Sequence, residues 1–376
     1  MNVFWLKHIY QVLLFMLIIL PFFKPMTFGQ ENSKDGDGQD STQSRKLSID
    51  AYPYAYYTPE TELAIGAGGI MVFYTSDTSI IKPSKIVLGG YYSTKKQYNI
   101  TLDPAFYFNN NNLFIHMPLS FGYFVDKFFG IGPNSPDDGN EDYTSRVYSA
   151  SLFVQVPPIW FSSDRSGLII DANYTEMVDK ETNPELINNT VAGSNGGGFY
   201  GMGFQGVWDS RDNIFFPNDG KYSSLKLISY PVGDFNFYSF EMDIRNYSSF
   251  AKDHVIAGQV YFMAVGGDVP FYKLPALGGQ YKMRGYYEGR YRDNVYFTIQ
   301  LEYRQYFWWK LGYVIFGSAG GVADSPDKLR LDEFKFSYGA GLRYLFNEEQ
   351  KVNLRVDLGI TRDGDTGIYF GIEEAF

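Results

Sequence analysis

The segment Val295-Tyr-Phe-Thr-Ile-Gln-Leu-Glu-Tyr-Arg-Gln-Tyr-Phe307 sets Val295, Phe297, Ile299, Leu301 and Tyr303 on one face of an extended chain and Thr298, Gln300, Glu302 and Arg304 on the other. Side chains alternate across a strand, so this period of two predicts a strand with one apolar and one polar face. A soluble sheet shows the same alternation. Repetition along the chain decides between the two. Phe334, Phe336, Tyr338, Ala340, Leu342 and Tyr344 oppose Lys335, Ser337, Gly339, Gly341 and Arg343, and Val352, Leu354, Val356, Leu358 and Ile360 oppose Asn353, Arg355, Asp357 and Thr361. Burying those arginines and aspartates in a sandwich core would be very costly. A barrel with an apolar outside and a wet lumen accepts both faces.

Outward from this segment the same reading gives about sixteen strand candidates, approximately 48–58, 63–75, 84–95, 97–108, 113–125, 145–156, 166–177, 198–209, 220–232, 236–248, 254–266, 295–307, 311–323, 334–346, 352–362 and 366–376, and no long helical pattern. An even number of strands of roughly ten residues fits an all-β fold, an antiparallel transmembrane β-barrel of the outer membrane, with outer-membrane lipids as its surroundings. Aromatic residues make up 19% of the chain, 32 Tyr and 33 Phe, beside 39 Gly, although the mean hydropathy is only −0.23. That combination suits short strands, many turns and aromatic girdles at two membrane interfaces. With no cysteine, disulfides, an acylated-cysteine anchor, thiol chemistry and cysteine-based zinc sites are excluded. A net charge of −10 argues against a nucleic-acid partner, which needs a basic surface.

Residues 1–29 carry Lys7 and His8, then the apolar run Val12 to Phe23, then Gly29. A run this short reads as a cleavable signal peptide rather than a span, which needs roughly twenty residues. Residues 30–47 are polar and read as a disordered periplasmic tail, leaving 48–376 as the barrel. If both termini face the periplasm, the longer connections fall outside the cell: the acidic Gly130–Thr144 and Asp179–Gly197 stretches, and Leu277 to Asn294, Leu-Gly-Gly-Gln-Tyr-Lys-Met-Arg-Gly-Tyr-Tyr-Glu-Gly-Arg-Tyr-Arg-Asp-Asn. A glycine-rich connection with Arg284 at its centre suits a loop folded back on itself, and a guanidinium held there needs a buried carboxylate. On composition alone, a mobile surface connection is the alternative.

Three stretches resemble the outer-membrane assembly superfamily of BamA- and TamA-like proteins, in its bacterial surface-antigen barrel domain. Met283-Arg284-Gly285-Tyr286, after Leu277-Gly-Gly279, resembles the signature of that family's sixth extracellular loop. Trp208-Asp-Ser-Arg-Asp-Asn-Ile-Phe-Phe-Pro-Asn-Asp-Gly220 resembles its turn between the eighth and ninth strands. Ile368-Tyr-Phe-Gly371-Ile-Glu-Glu-Ala-Phe376 resembles its terminal strand, whose last aromatic is an insertion signal. The resemblance implies that the sixth loop folds into the lumen and that Arg284 pairs with acids on neighbouring strands. Glu302 matches on the twelfth strand. On the thirteenth, Ser318 stands where many members carry Asp, which leaves Asp324 as the nearby acid. On this resemblance a second departure is expected: a barrel without the POTRA module that receives client chains in the family.

The function implied by this resemblance is that of an outer-membrane protein assembly, insertion or translocation factor working with other outer-membrane proteins or a separate periplasmic or lipoprotein partner. Its basis would be a weak lateral seam between first and last strands, marked by Pro53, which lacks a ladder donor, and by Gly367 and Gly371. For Pro53 a bulge is the alternative. The competing function is a passive channel or structural barrel, against which a loop plugging the lumen argues. An enzyme is not expected: no Gly-x-Ser-x-Gly elbow surrounds any serine, His116 reads as lumen or interface filler, and Glu241, Asp243 and Arg245 read as a solvated lumen network. No cofactor or metal is implied.

Overall fold

Strands with one greasy and one charged face can satisfy both only by closing into a cylinder, since an open edge in lipid leaves backbone donors and acceptors unpaired. The structure, a computed structural model that describes residues 26–28, 47–76, 81–136, 142–155, 165–180, 184–348 and 351–376, is such a cylinder. Sixteen antiparallel strands form it: β1 Ser48–Thr58, β2 Glu62–Phe73, β3 Ser84–Ser93, β4 Tyr98–Phe108, β5 Leu113–His116 continued by Leu119–Lys127, β6 Asp142–Gln155, β7 Arg165–Asp179, β8 Gly196–Asp209, β9 Gly220–Gly233, β10 Phe237–Ala251, β11 His254–Gly267, β12 Val295–Trp308, β13 Leu311–Ala323, β14 Lys335–Asn347, β15 Val352–Thr361 and β16 Thr366–Ile372. Each pairs with the next, and β16 returns to β1. Apart from 26–28 and Leu47, the expected signal peptide and tail lie outside the described residues. A three-residue strand, Met26–Phe28, pairs with Ile49–Ala51 on the edge of β1 that faces β16.

Exposure runs opposite to that of a soluble sheet. On β12, Ile299 and Leu301 are 41% and 58% exposed, whereas Gln300, Glu302 and Arg304 are exposed by 2% or less. The apolar face looks outward and the charged face is the buried one, as lipid outside and a packed lumen inside require. At the end where the long connections emerge, residues from four connections or their flanks meet over the lumen: Phe128, Leu186, Phe199, Phe235 and Phe271 belong to one buried cluster. We call this the loop 6 end, after residues 268–294 between β11 and β12.

Two strands depart from the alternation-based reading. The fifth is not continuous over 113–125: it breaks at Met117–Pro118, because Pro118 has no N–H for the ladder, and Met117 instead donates to the Pro104 carbonyl at 3.0 Å. The sixteenth does not run to Phe376. It ends at Ile372, where Glu373 takes a left-handed φ of +70° and turns the last residues inward.

That turn leaves the barrel with a weak closure. Tyr57 with Phe370 is the ladder pair between β1 and β16, whereas β10 and β11 are laddered from Phe237↔Gly267 to Ala251↔His254. Pro53 makes no bulge, since the β1–β2 ladder runs without a shift from Ser48↔Val72 through Pro53↔Ala67 to Thr58↔Glu62. A residue lacking an N–H fits an unbroken ladder where the missing donor would have faced the open side.

Candidate functional site

Loop 6 is gathered at its neck by a two-residue ladder, Ala276–Leu277 with Tyr291–Arg292. Beyond the neck the chain needs backbone shapes that side chains resist: Met283 and Gly285 have φ of +52° and +114°. Gly285 also touches the wall backbone to backbone. A Cβ there would lie 3.1 Å from the Ile360 nitrogen, and one on Gly359 would lie 2.5 Å from the Arg284 carbonyl carbon, so both positions need glycine. Loop and wall are then joined by hydrogen bonds. Gly285 N–H donates to the Tyr369 hydroxyl at 2.9 Å and Met283 N–H to Gln300 Oε1 at 3.0 Å. Gly367 allows the first of these, because a Cβ there would sit 2.5 Å from the Tyr369 hydroxyl oxygen.

Arg284, held in this way, is 1% exposed. Its Nη2 pairs with Glu302 of β12, its Nη1 donates to Asp357 Oδ2 of β15 at 2.5 Å, and its guanidinium carbon lies 3.6 Å from the centre of the Phe316 ring. Both acids are shared. Glu302 Oε2 accepts from Arg304 at 2.8 Å, and Asp357 Oδ1 accepts from Arg343 at 2.6 Å. Arg355 Nη2 donates to the Gln280 side-chain oxygen at 3.2 Å, tying the loop to β15 a second time. Charges this deeply buried persist only when each has a partner, and here four arginines on one loop and three strands share the carboxylates between them.

The inward-turned tail joins the same network. Glu374 accepts from Arg343 Nε at 2.8 Å, and Arg304 Nη2 donates to the main-chain oxygen of Phe376 at 2.8 Å. The Phe376 ring packs with Tyr247 and Ala257 in a small buried cluster. A path of ion pairs and hydrogen bonds therefore runs from Arg284 to the end of the chain by two routes, through Glu302 and Arg304, and through Asp357 and Arg343. A family model for the Omp85 superfamily domain matches residues 85–376. The chain belongs to the Omp85 superfamily. An Omp85 barrel of this kind is a bacterial outer-membrane protein. In fold it is similar to BamA from Haemophilus ducreyi lacking POTRA domains 1–3, with a TM-score of 0.63 and 14% identity over 87% of this chain and 70% of that one. It is also similar to CdiB from Acinetobacter baumannii, with a TM-score of 0.53 and 11% identity over 87% of this chain and 59% of that one. No curated protein matches it in sequence.

Of the residues singled out from sequence, this Omp85 barrel brings Met283, Arg284, Gly285, Tyr286 and Glu302 together inside the cylinder, with Tyr286 only 3% exposed. Asp324 is a correction. It lies on the surface at the loop 6 end, paired with Lys328 and accepting from Asn294 at 3.2 Å. The strand β13 ends one residue earlier, at Ala323, so Asp324 is carried past the rim rather than into the lumen. Its expected place beside Arg284 belongs to Asp357, while Ser318 bonds Ser337 at 2.8 Å. Phe376 and Gly371 also part company, with Gly371 in β16 opposite Arg355 and Phe376 off the strand. Sequence reasoning missed Asp357 and Glu374 as partners. The signal available was that Arg343, Arg355 and Asp357 share the polar faces of two consecutive strands, but ladder register decides which of them meet, and register is not visible in periodicity.

The turn between β8 and β9 fixes itself locally. Asn213 Oδ1 accepts from the N–H groups of Phe215 and Phe216 at 2.8 Å each, and Asp212 Oδ1 from Asn218 at 2.8 Å. This presents Phe216 to the Tyr306 ring, with centroids 5.3 Å apart, and so to the strand that carries Arg304. Asp243 and Arg245 pair at 2.6 Å, and His116 pairs with Asp103.

Proposed function

We propose that this barrel assembles, inserts or translocates outer-membrane proteins, with the β1–β16 seam as the working part, alongside other outer-membrane proteins or a separate periplasmic or lipoprotein partner. The single observation that carries the reading is the seam itself, one ladder pair at Tyr57 and Phe370 in a cylinder whose other strand pairs are long. An edge left with unpaired donors and acceptors in lipid is the place where an incoming strand gains most by pairing. Membership in the Omp85 superfamily and the likeness in fold to BamA and CdiB support it.

The test uses the absence of cysteine from the chain. Tyr57→Cys with Phe370→Cys places two thiols on facing residues, where the Cα separation of a ladder pair, about 4.5–5.5 Å, lies inside the range a disulfide spans. In cells that depend on this protein, oxidation should lower the levels of other outer-membrane proteins, and reductant should restore them. A locked barrel that supports normal levels would leave the static, channel or structural reading as the better one.

A further inference from the structure

The lumen is filled unevenly. Loop 6 and its ion pairs occupy the side lined by β12 to β16. The side lined by β5 to β11 holds a cavity of about 450 Å³, beneath the aromatic cluster that includes Phe271 and Phe199. Two lysines line it, Lys226 from β9 and Lys273 from the start of loop 6.

The carboxylates of the same walls are already engaged. Asp171 accepts from the Tyr230 hydroxyl at 2.9 Å and from Ser151, and Glu241 accepts from the Tyr261 hydroxyl at 3.0 Å. Lys273 Nζ donates to Asn173 Oδ1 at 3.2 Å and lies 5.5 Å from the centre of the Phe199 ring. Lys226 stands opposite Glu241 in the β9–β10 ladder. Among the described residues neither lysine forms an ion pair with a carboxylate. Burial lowers the pKa of Lys273, Asp171 opposes that and Lys226 adds to it, so an anion beside Lys273 would favour its charged form. A half-buried ammonium with no carboxylate bonded to it gains from a charge-assisted partner. Two lysines that share one cavity, while Arg284, Arg304, Arg343 and Arg355 on the other side of the lumen each have an acid or chain-end partner, mark that cavity as suited to an anion.

We propose that this cavity is a binding site for a phosphate ester, with the phosphoryl group between Lys226 and Lys273, the amide nitrogen of Asn173 as a neutral donor, and Asp171 and Glu241 turned to hydroxyls of the same ligand. Phosphate suits point-charge lysine donors, and the acids disfavour a second anionic group at the other end. The ester is either a soluble solute or the headgroup of a membrane phospholipid. This goes beyond the seam-based reading and does not depend on it.

The test is calorimetric titration of the purified barrel in a neutral maltoside detergent with glycerol 3-phosphate. Native mass spectrometry after incorporation into nanodiscs containing phosphatidylglycerol forms the second arm. Saturable binding of glycerol 3-phosphate that weakens at least about tenfold in Lys226→Gln and in Lys273→Gln, as expected when a charge-assisted bond is lost, supports a soluble ligand. Retention of phosphatidylglycerol by the native barrel and its loss from both variants supports a lipid headgroup. Failure of both arms, or equal behaviour of native barrel and the double variant, overturns the proposal. A thermal melt without ligand guards against misfolding: a lysine outside any ion pair, replaced by glutamine, should leave the melting temperature unchanged. If Lys273→Gln lowers it, Lys273 is a structural post of loop 6 and its assigned role fails. Lys226→Gln, which leaves loop 6 intact, then decides whether the cavity binds the ester at all.

Discussion

Arg284 shows how a single side chain can be tied to a fold through charges it does not touch. Removing one member of a buried pair strands the other, at a cost of roughly 3–5 kcal/mol. Arg284→Ala would leave Glu302 with Arg304, and Asp357 with Arg343 and Arg355, whereas Glu302→Ala would leave Arg284 and Arg304 short of an acid. In urea or heat resistance the double variant should fall short of the sum of the singles by about 0.5–3 kcal/mol, as expected for residues in one network. Strict additivity would show that the two do not meet. Asp324→Ala is the matched control: an exposed acid paired only with Lys328 and Asn294 should change stability by no more than about 0.5 kcal/mol. A second residue-scale expectation concerns the tip of loop 6. Glu288 N–H donates to Glu60 Oε1 at 2.8 Å, and Tyr287 donates to Asp126 at 3.1 Å. Although Glu288 reaches solvent, partial desolvation among the loop and wall residues first, then Glu60 and Asp126, raise its carboxyl from 4.5 to about 7, and burial also raises Glu60. The folded tip thus holds its proton more tightly than a free glutamate, so its stability is full below about pH 4.5 and declines as pH climbs towards 7. Amides of residues 286–290, corrected for intrinsic rates, should exchange faster at pH 8 than at pH 5, and Glu288→Gln should flatten the difference. Identical profiles for both proteins would remove Glu288 from the account.

At the scale of elements, β16 and loop 6 are the two that depend on each other. β16 is seven residues long because Glu373 turns away, and the residues that could have extended the β1 ladder are spent on Arg343, Arg304 and a pocket beside Tyr247. Exchange should therefore be fast at the seam-facing amides of Tyr52–Tyr56 and of Thr366–Ile372 and slow along β10 and β11, which share a ladder over almost their whole length. Protection along β1 equal to that of β10 would mean that the seam is closed in solution. Much of this was legible beforehand. Period-two alternation located all sixteen strands, since burial on one side and lipid on the other leave no other arrangement of residues such as Leu301 and Glu302. Loop 6 and Glu302 could be read from the motif around Arg284. Three things were out of reach for separate reasons. Pro118 breaks β5 through a missing donor inside an otherwise regular apolar run. The tail leaves β16 at Glu373 because tertiary charge partners outweigh local strand preference. Asp357 replaces Asp324 because ladder register, which periodicity does not encode, sets which acids face Arg284.

For the whole molecule, the question is whether a cylinder of this size conducts. Its lumen holds loop 6 across the β12–β16 side, four buried arginines with their acids, the inward tail, and an aromatic cluster over the loop 6 end. A cavity on the β5–β11 side remains, but the cluster lies between it and the mouth. Ions crossing would have to displace packed aromatic rings or pass a network whose charges are mutually neutralised, and neither offers a hydrated path. Reconstituted in a planar bilayer, the intact barrel should therefore carry little steady current. Replacing Gly278–Arg290 with a short flexible linker removes Arg284 and its bonds to β12, β15 and β16, and should open a sustained conductance. The variant must still migrate as a folded barrel without boiling, so that current through misfolded protein is not counted. Steady, porin-like current through the intact barrel, unchanged by this replacement, would show that loop 6 does not seal the lumen and would return the passive channel to first place.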